Sequence, residues 1–406
     1  MTRARWIGLG ILVLVLTLVP VLPSDGEGDG SARLAGARQT ASVLTAGWGR
    51  VTPAYRHTIN RVVDSTRTSG RVSPDASART LVASVVKCVM FEGQRYCLGQ
   101  GWTDHTQAQV RARTTAIAAR EAARPTATLN TGDLSTLDAL RQAARMSPRA
   151  RAAAERAELT QAARSVAKVW LLRHQIQGVP LPPHFFARHP EVRAVTPASG
   201  AGRLTPPQPG GRSHPKHWSD YPHRGTVLNR RHVTQQHRTY WCGPTTMQMI
   251  GWGWSGTKRS QHLWARRLGT TTSGTSVAAM VSATNRYTGW DRKSYAGPYI
   301  ILDISGWTFH QWRLLMARHT VDYRAPVILH PILLKRFFPY LDHDGSGHFQ
   351  VGRGYQKGKT TLLGYFEPWN QQRFHPDEPF IPRVQWRSAY RSYRANRAHF
   401  EHNLGV

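Results

Sequence analysis

Acidic residues are scarce in this chain. It holds 23 Asp and Glu against 54 Lys and Arg, for a formal net charge of +31. A field this basic favours polyanions such as nucleic acid, anionic lipid or anionic cell-wall polymer, while an Arg-, Ala- and Gly-heavy composition equally reflects codon bias and general solubility. Specific nucleic-acid recognition is excluded by what else is missing: zinc-finger spacing, a basic zipper and an aromatic RNA-binding signature. No His-x-x-x-His pair with a carboxylate occurs, which argues against zinc. Asp342-His343-Asp344-Gly345-Ser346-Gly347 resembles the start of a calcium loop, but the twelfth position is Arg353 rather than glutamate, so it reads as a plain turn. No cofactor is implied. Internal repeats are also absent. Hydrophobic residues at 40% and charged residues at 19% supply packed cores and exclude wholesale disorder.

Cysteine is scarcer still, with three in 406 residues. Their meaning depends on compartment, which the first residues address. Arg3 and Arg5 precede the apolar run Ile7–Leu22, and an acidic, glycine-rich stretch follows from Asp25. That is the layout of a secretory signal, assigned to residues 1–23. The run is short for a membrane span, which needs about 20 apolar residues. The expected location is secreted or associated with the surface of a bacterial cell. Membrane attachment is expected only if the segment stays uncleaved. Cys88 and Cys97 flank a hairpin pattern around Glu92-Gly93, so a disulfide between them is reasonable in an oxidising compartment. Cys242 is then the odd thiol, either intermolecular or reactive.

Residues 24–75 read as a polar, flexible lead. Residues 76–178 hold the cysteine hairpin and then Ala/Arg-rich helices, with Leu159, Ala162, Ala163, Val166, Val169 and Trp170 on one stripe that should face a core. Residues 179–225 are rich in proline and glycine and read as a linker. Residues 226–380 read as mixed α/β: helices over Cys242 to Trp252, Val277 to Tyr287 and Trp307 to Arg318, and strands over 326–330, 349–352 and 360–366. Residues 381–406 form a basic tail in which Trp386, Tyr390 and Tyr393 fall at helical spacing.

The chemistry converges on Cys242. Only a thiolate attacks efficiently, and a helix N-terminus lowers a thiol pKa through its unpaired N–H groups and dipole. Gly243 and Pro244 suit a first turn. His348 follows the turn-like 344–347 and opens an apolar strand, where a rigid scaffold would hold a general base. Glu367, ahead of Pro368, is the candidate to orient the imidazole, with Asn370 in reserve. The amide of Gln236 and the backbone N–H of Cys242 are candidate oxyanion donors.

Gln236, then Cys242-Gly243-Pro244, the later Gly347-His348 and the acid before Pro368 resemble the papain-like peptidases of family C thirty-nine, closest to the stand-alone exported type. Gly274-Thr275, Asn285-Arg286-Tyr287 and Pro326-Val327-Ile328 look like that family too, and the resemblance spans roughly 226 to 375. It implies a papain-like cysteine peptidase domain of α+β fold; the helical, Ala/Arg-rich N-terminal region that precedes it matches no family. It implies peptide-bond hydrolysis through a thioester, with Cys242 as nucleophile, His348 as base, Gln236 as oxyanion donor and Glu367 as orienting acid, on a peptide or protein substrate. The family usually carries aspartate where Glu367 stands. Transporter domains of the bacteriocin-export members are absent, which argues against leader processing. Two other readings stay open: a catalytically silent peptide- or wall-binding module, and an amide-group transferase. A helical segment ahead of such a domain also raises the expectation of a removable prosegment.

Overall fold

A computed structural model of the chain describes residues 48–123, 130–193, 216–290 and 297–406. The signal segment expected over 1–23 lies outside them, as does part of the expected linker. Among the described residues no helix is long and apolar enough to cross a membrane.

The first strands follow from local chemistry. Cys88–Phe91 (β1) and Gln94–Cys97 (β2) pair antiparallel with Cys88 opposite Cys97. Their two-residue turn has Glu92 at φ 46° and Gly93 at φ 78°, the twist that lets a hairpin close without splaying. The Cys88–Cys97 disulfide is present across this pair. Gly101–Thr103 (β3) pairs with β2 and then, in parallel, with Ile301–Asp303 (β5) through Trp102 opposite Leu302. The remaining strands are Arg224–Thr226 (β4), Val327–Leu329 (β6), Gln350–Gln356 (β7), Leu362–Phe366 (β8), Val384–Ser388 (β9) and Asn403–Gly405 (β10). Among the described residues they form one ten-stranded sheet, ordered β1-β2-β3-β5-β10-β6-β7-β8-β9, with β4 beside the far half of β7.

This topology redraws the expected boundaries. The cysteine hairpin belongs to the same sheet as the strands around His348, and Tyr55, Phe91 and Trp102 share one apolar core with Ile301, Leu302 and Phe349. The described residues accordingly fall in one compact unit. Within the expected lead, Pro53–Thr68 is a helix capped by Thr52, and Tyr55, Ile59 and Val63 bury a stripe against the core. The expected basic tail contributes β9, the helix Ala389–Ala398 and β10 to the body of the fold. Trp386 is on β9, not on the helix that carries Tyr390 and Tyr393, so their apparent common helical spacing is coincidental.

The elements that carry the candidate chemistry lie close to their expected positions. Cys242–Ser255 and Val277–Tyr287 are helices, the second capped by Ser276, and Phe309–Ala317 is a third, capped by Thr308. Cys242–Ser255 packs on β7, and its buried face includes Met247, Met249 and Ile250. That packing brings the helix start to the mouth of β7, where His348 sits.

Candidate active site

Cys242 is the first residue of its helix and is fully buried. Side-chain capping is absent at this end, Pro244 carries no N–H, and the Thr245 N–H bonds the Trp241 carbonyl at 3.0 Å. The thiol accepts hydrogen bonds from the backbone N–H of Gly243 and of Phe349, the residue after His348. These bonds favour the thiolate. Burial outweighs them, and with the charge of Asp133 it pushes the thiol pKa well above its ordinary value. Burial and the Asp133 charge thus oppose the thiolate that the helix start favours.

His348 is also fully buried, anchored by its N–H on the Pro331 carbonyl at 2.9 Å. Its Nε2 lies 2.8 Å from Glu367 Oε1, while Nδ1 makes no hydrogen bond among the described residues. A ring tied through one nitrogen and open at the other is what a general base requires. Glu367 follows β8, whose Phe366 pairs with Val351, so the antiparallel register brings it to the His348 end of β7. The extra methylene of glutamate does not prevent contact. Glu367 Oε1 also accepts from the Trp369 N–H at 2.9 Å, and Oε2 from Tyr340 Oη at 2.8 Å and Gln350 Nε2 at 2.6 Å. Burial alone would raise its pKa, but His348 and these donors more than offset that and hold it below the usual carboxylate value. Asn370, the reserve candidate, instead accepts from Arg383 at 2.7 Å.

Gln350 and Tyr340 were not evident as site residues. Gln350 stands two positions after His348 along an extended segment, and that spacing puts both side chains on one face, a signal present in the sequence. Tyr340 carries no comparable local signal, because a loop brings it in.

Gln236 is buried, with its N–H on the Pro368 carbonyl at 2.8 Å. Its Nε2 faces three carbonyls: Thr239 at 2.6 Å, Arg238 at 3.0 Å and Thr131 at 3.3 Å. The last belongs to the N-terminal region, which therefore reaches the site. The structure brings the four residues together: the Gln236 N–H bonds the Pro368 carbonyl next to Glu367, and the Cys242 thiol meets the Phe349 N–H next to His348. Cys88 and Cys97 lie elsewhere, on the hairpin.

Asp133, His330 and His399 form a second buried cluster within metal-ligand reach of one another. His399 Nδ1 accepts from the Glu401 N–H at 3.2 Å, so its proton sits on Nε2, 2.9 Å from Asp133 Oδ2. A protonated Nε2 is not a metal ligand. His330 lies between two acceptors, Asp133 Oδ1 at 2.8 Å and Asn403 Oδ1 at 2.7 Å. Burial would lower its pKa, but Asp133 reverses the sign and raises it. The cluster is an ion pair with a second histidine donor.

The helix-start cysteine, the strand-mouth histidine and the carboxylate bound to it lie together in a mixed α+β domain. Residues 227–395 match the model of the Peptidase_C39 like family. No curated protein and no solved structure matches the chain.

Proposed function

We propose that this chain is a cysteine peptidase, exported from a bacterial cell, that hydrolyses peptide bonds through a thioester on Cys242. The observation that carries the reading is His348 bound by Glu367 through Nε2, with Nδ1 open, beside a thiol that accepts from the Phe349 N–H. In the proposed cycle His348 takes the thiol proton as sulfur attacks the carbonyl. The oxyanion meets the Cys242 N–H and the Gln236 amide. His348 then gives the proton to the leaving amine, and water releases the acyl group. Glu367 holds the imidazole in one orientation and stabilises its charged form. The net charge of +31 supports anionic cell-wall polymer as a partner held by a salt-sensitive field.

The test is trapping of an acyl-thioester by mass spectrometry with an activated peptide ester. Wild type should acylate, and Cys242→Ala and His348→Ala should not. Equal and measurable acylation of wild type and His348→Ala would count against the mechanism. A second reading, a peptide-binding module that does not turn over, is favoured by the neutral, buried thiol. It predicts peptide retention without acylation. Amide-group transfer on the same site predicts an amine-linked product when a primary amine is supplied.

A further inference from the structure

The segment from Asn130 to Leu134 runs between the two walls of the candidate site. On one wall, the Thr275 N–H donates to the Gly132 carbonyl at 2.8 Å and the Leu134 N–H to the Thr275 carbonyl at 3.0 Å, which pairs Asp133 with Thr275 as a parallel bridge. On the other wall, the Thr131 N–H bonds Ser346 Oγ at 3.0 Å, and Thr131 Oγ1 donates to the Gly347 carbonyl at 2.8 Å, next to His348. The Thr131 carbonyl takes the Gln236 amide.

Gly132 is the closest approach. A Cβ there would stand 2.5 Å from the Tyr240 carbonyl carbon and 2.9 Å from the Cys242 nitrogen, and its φ of +115° lies where side chains are disfavoured. The backbone thus lies against the N–H that would hold an oxyanion. One residue on, the Asp133 carboxylate enters a pocket made by His330 and His399. Gly347 leaves the room for it, since a Cβ there would meet both that carboxylate and the His399 ring. Backbone pairing on one side, side-chain hydrogen bonds on the other, a glycine at the narrowest point and a charged side chain in a matched pocket are the marks of peptide recognition.

We propose that Asn130–Leu134 is a tethered occupant of the cleft of Cys242, so that the described state is self-occluded, and that the cleft recognises extended peptides carrying a glycine followed by an acidic residue. The inference rests on the peptidase reading for what the cleft does, and on the contacts above for what fills it. The acidic residue is selected by His330 and His399. A tethered segment holds its site at an effective concentration in the millimolar range, so an untethered copy must be supplied at about that level to compete.

The experiment uses the full chain and follows alkylation of Cys242 by iodoacetamide at pH 7.5, read by mass spectrometry of its tryptic peptide. Gly132→Val should expel the segment and speed labelling at least tenfold over wild type, with near-ultraviolet circular dichroism retained. Millimolar synthetic peptide of residues 130–137 should return the variant to slow labelling, and the same peptide with Asp133→Asn should not. Asp133→Asn in the full chain, nearly isosteric, gives a second route to the same opening if Gly132→Val unfolds; because losing that charge also eases Cys242 ionisation, its opening is read as faster hydrogen exchange of the Leu134 amide, which bonds the Thr275 carbonyl. A wild-type labelling rate in Gly132→Val with wild-type exchange in Asp133→Asn, or equal protection by both peptides, would overturn the proposal. Hydrolysis of glycine–acid peptides by the opened variant is scored separately. An opened but inert chain leaves self-occlusion standing and counts against the peptidase reading.

Discussion

Glu367 offers a sharp test of the site's electrostatics, because one buried carboxylate serves four donors: His348, Trp369, Tyr340 and Gln350. Glu367→Ala would strand them all, and removing one member of a buried charged pair costs about 3–5 kcal/mol. Glu367→Gln is milder. Its oxygen can still accept from His348 and Trp369. Its new amide nitrogen would face Tyr340 Oη, which can accept, and Gln350, whose Oε1 has no partner among the described residues and can turn to accept. What is lost is the charge in four bonds, about 1–3 kcal/mol in total. The pH dependence separates charge from shape. The folded pKa of Glu367 lies below its ordinary value of 4.5, so its stabilisation is complete above that value and fades as pH falls through the folded one. Urea unfolding of wild type and Glu367→Gln at intervals from pH 7 to pH 3 should show the two curves converging in acid. A gap between them that stays constant from pH 7 to pH 3 would refute the ionised, His348-bound Glu367.

The raised pKa of Cys242 predicts slow alkylation of the wild-type chain at pH 7, with a rate that climbs about tenfold per pH unit into the alkaline range, read by the same mass-spectrometric assay. A pH-independent fast rate at neutrality would contradict the neutral thiol. Removing the hairpin disulfide by Cys88→Ser with Cys97→Ser closes one short loop fewer, and should cost about 2–3 kcal/mol in urea unfolding while leaving the wild-type rate of Cys242 alkylation unchanged.

Much of the candidate site was legible because its parts are chemically uncommon and carry local signals. Cys242 precedes a helical run, His348 follows a turn and opens a strand, and Glu367 ends the next strand. The segment Asn130–Leu134 was not legible. It is short, polar and without periodicity, and all its meaning comes from partners more than a hundred residues away, such as Ser346. The helix Pro53–Thr68 could have been found: Tyr55, Ile59 and Val63 recur at four-residue intervals, but arginine and threonine around them gave the stretch a polar average. What opposes the expected thiolate was hidden for a related reason. A helix start is a local feature, whereas the dryness of the site and the charge of Asp133 come from a distant segment.

The shared sheet also bears on how the cleft could open. A removable prosegment should detach as a unit, yet β3 lies against β5, and Thr103 and Arg113 both bind Asp303, at 2.8 Å and 2.9 Å. Trp102 is fully buried in the common core, packed on Phe91 and Tyr96. A buried tryptophan covers about 150–250 Å². At roughly 25 cal/mol per Å² its loss alone costs on the order of 4–6 kcal/mol, comparable to the whole stability of many domains. Stripping the hairpin would also bare the edge of β5, an invitation to association. A chain starting at residue 216 is therefore expected to aggregate or to lack a cooperative melt by size-exclusion chromatography and calorimetry. Gly132→Val in the full chain is expected to elute as the unaltered chain does. A monomeric truncated chain melting within about 5 °C of the full one would show that the N-terminal region is dispensable to the fold. If it is not dispensable, the release that frees Cys242 has to be local, a withdrawal of Asn130–Leu134 from Thr275 and the His330–His399 pocket while β3 stays on β5.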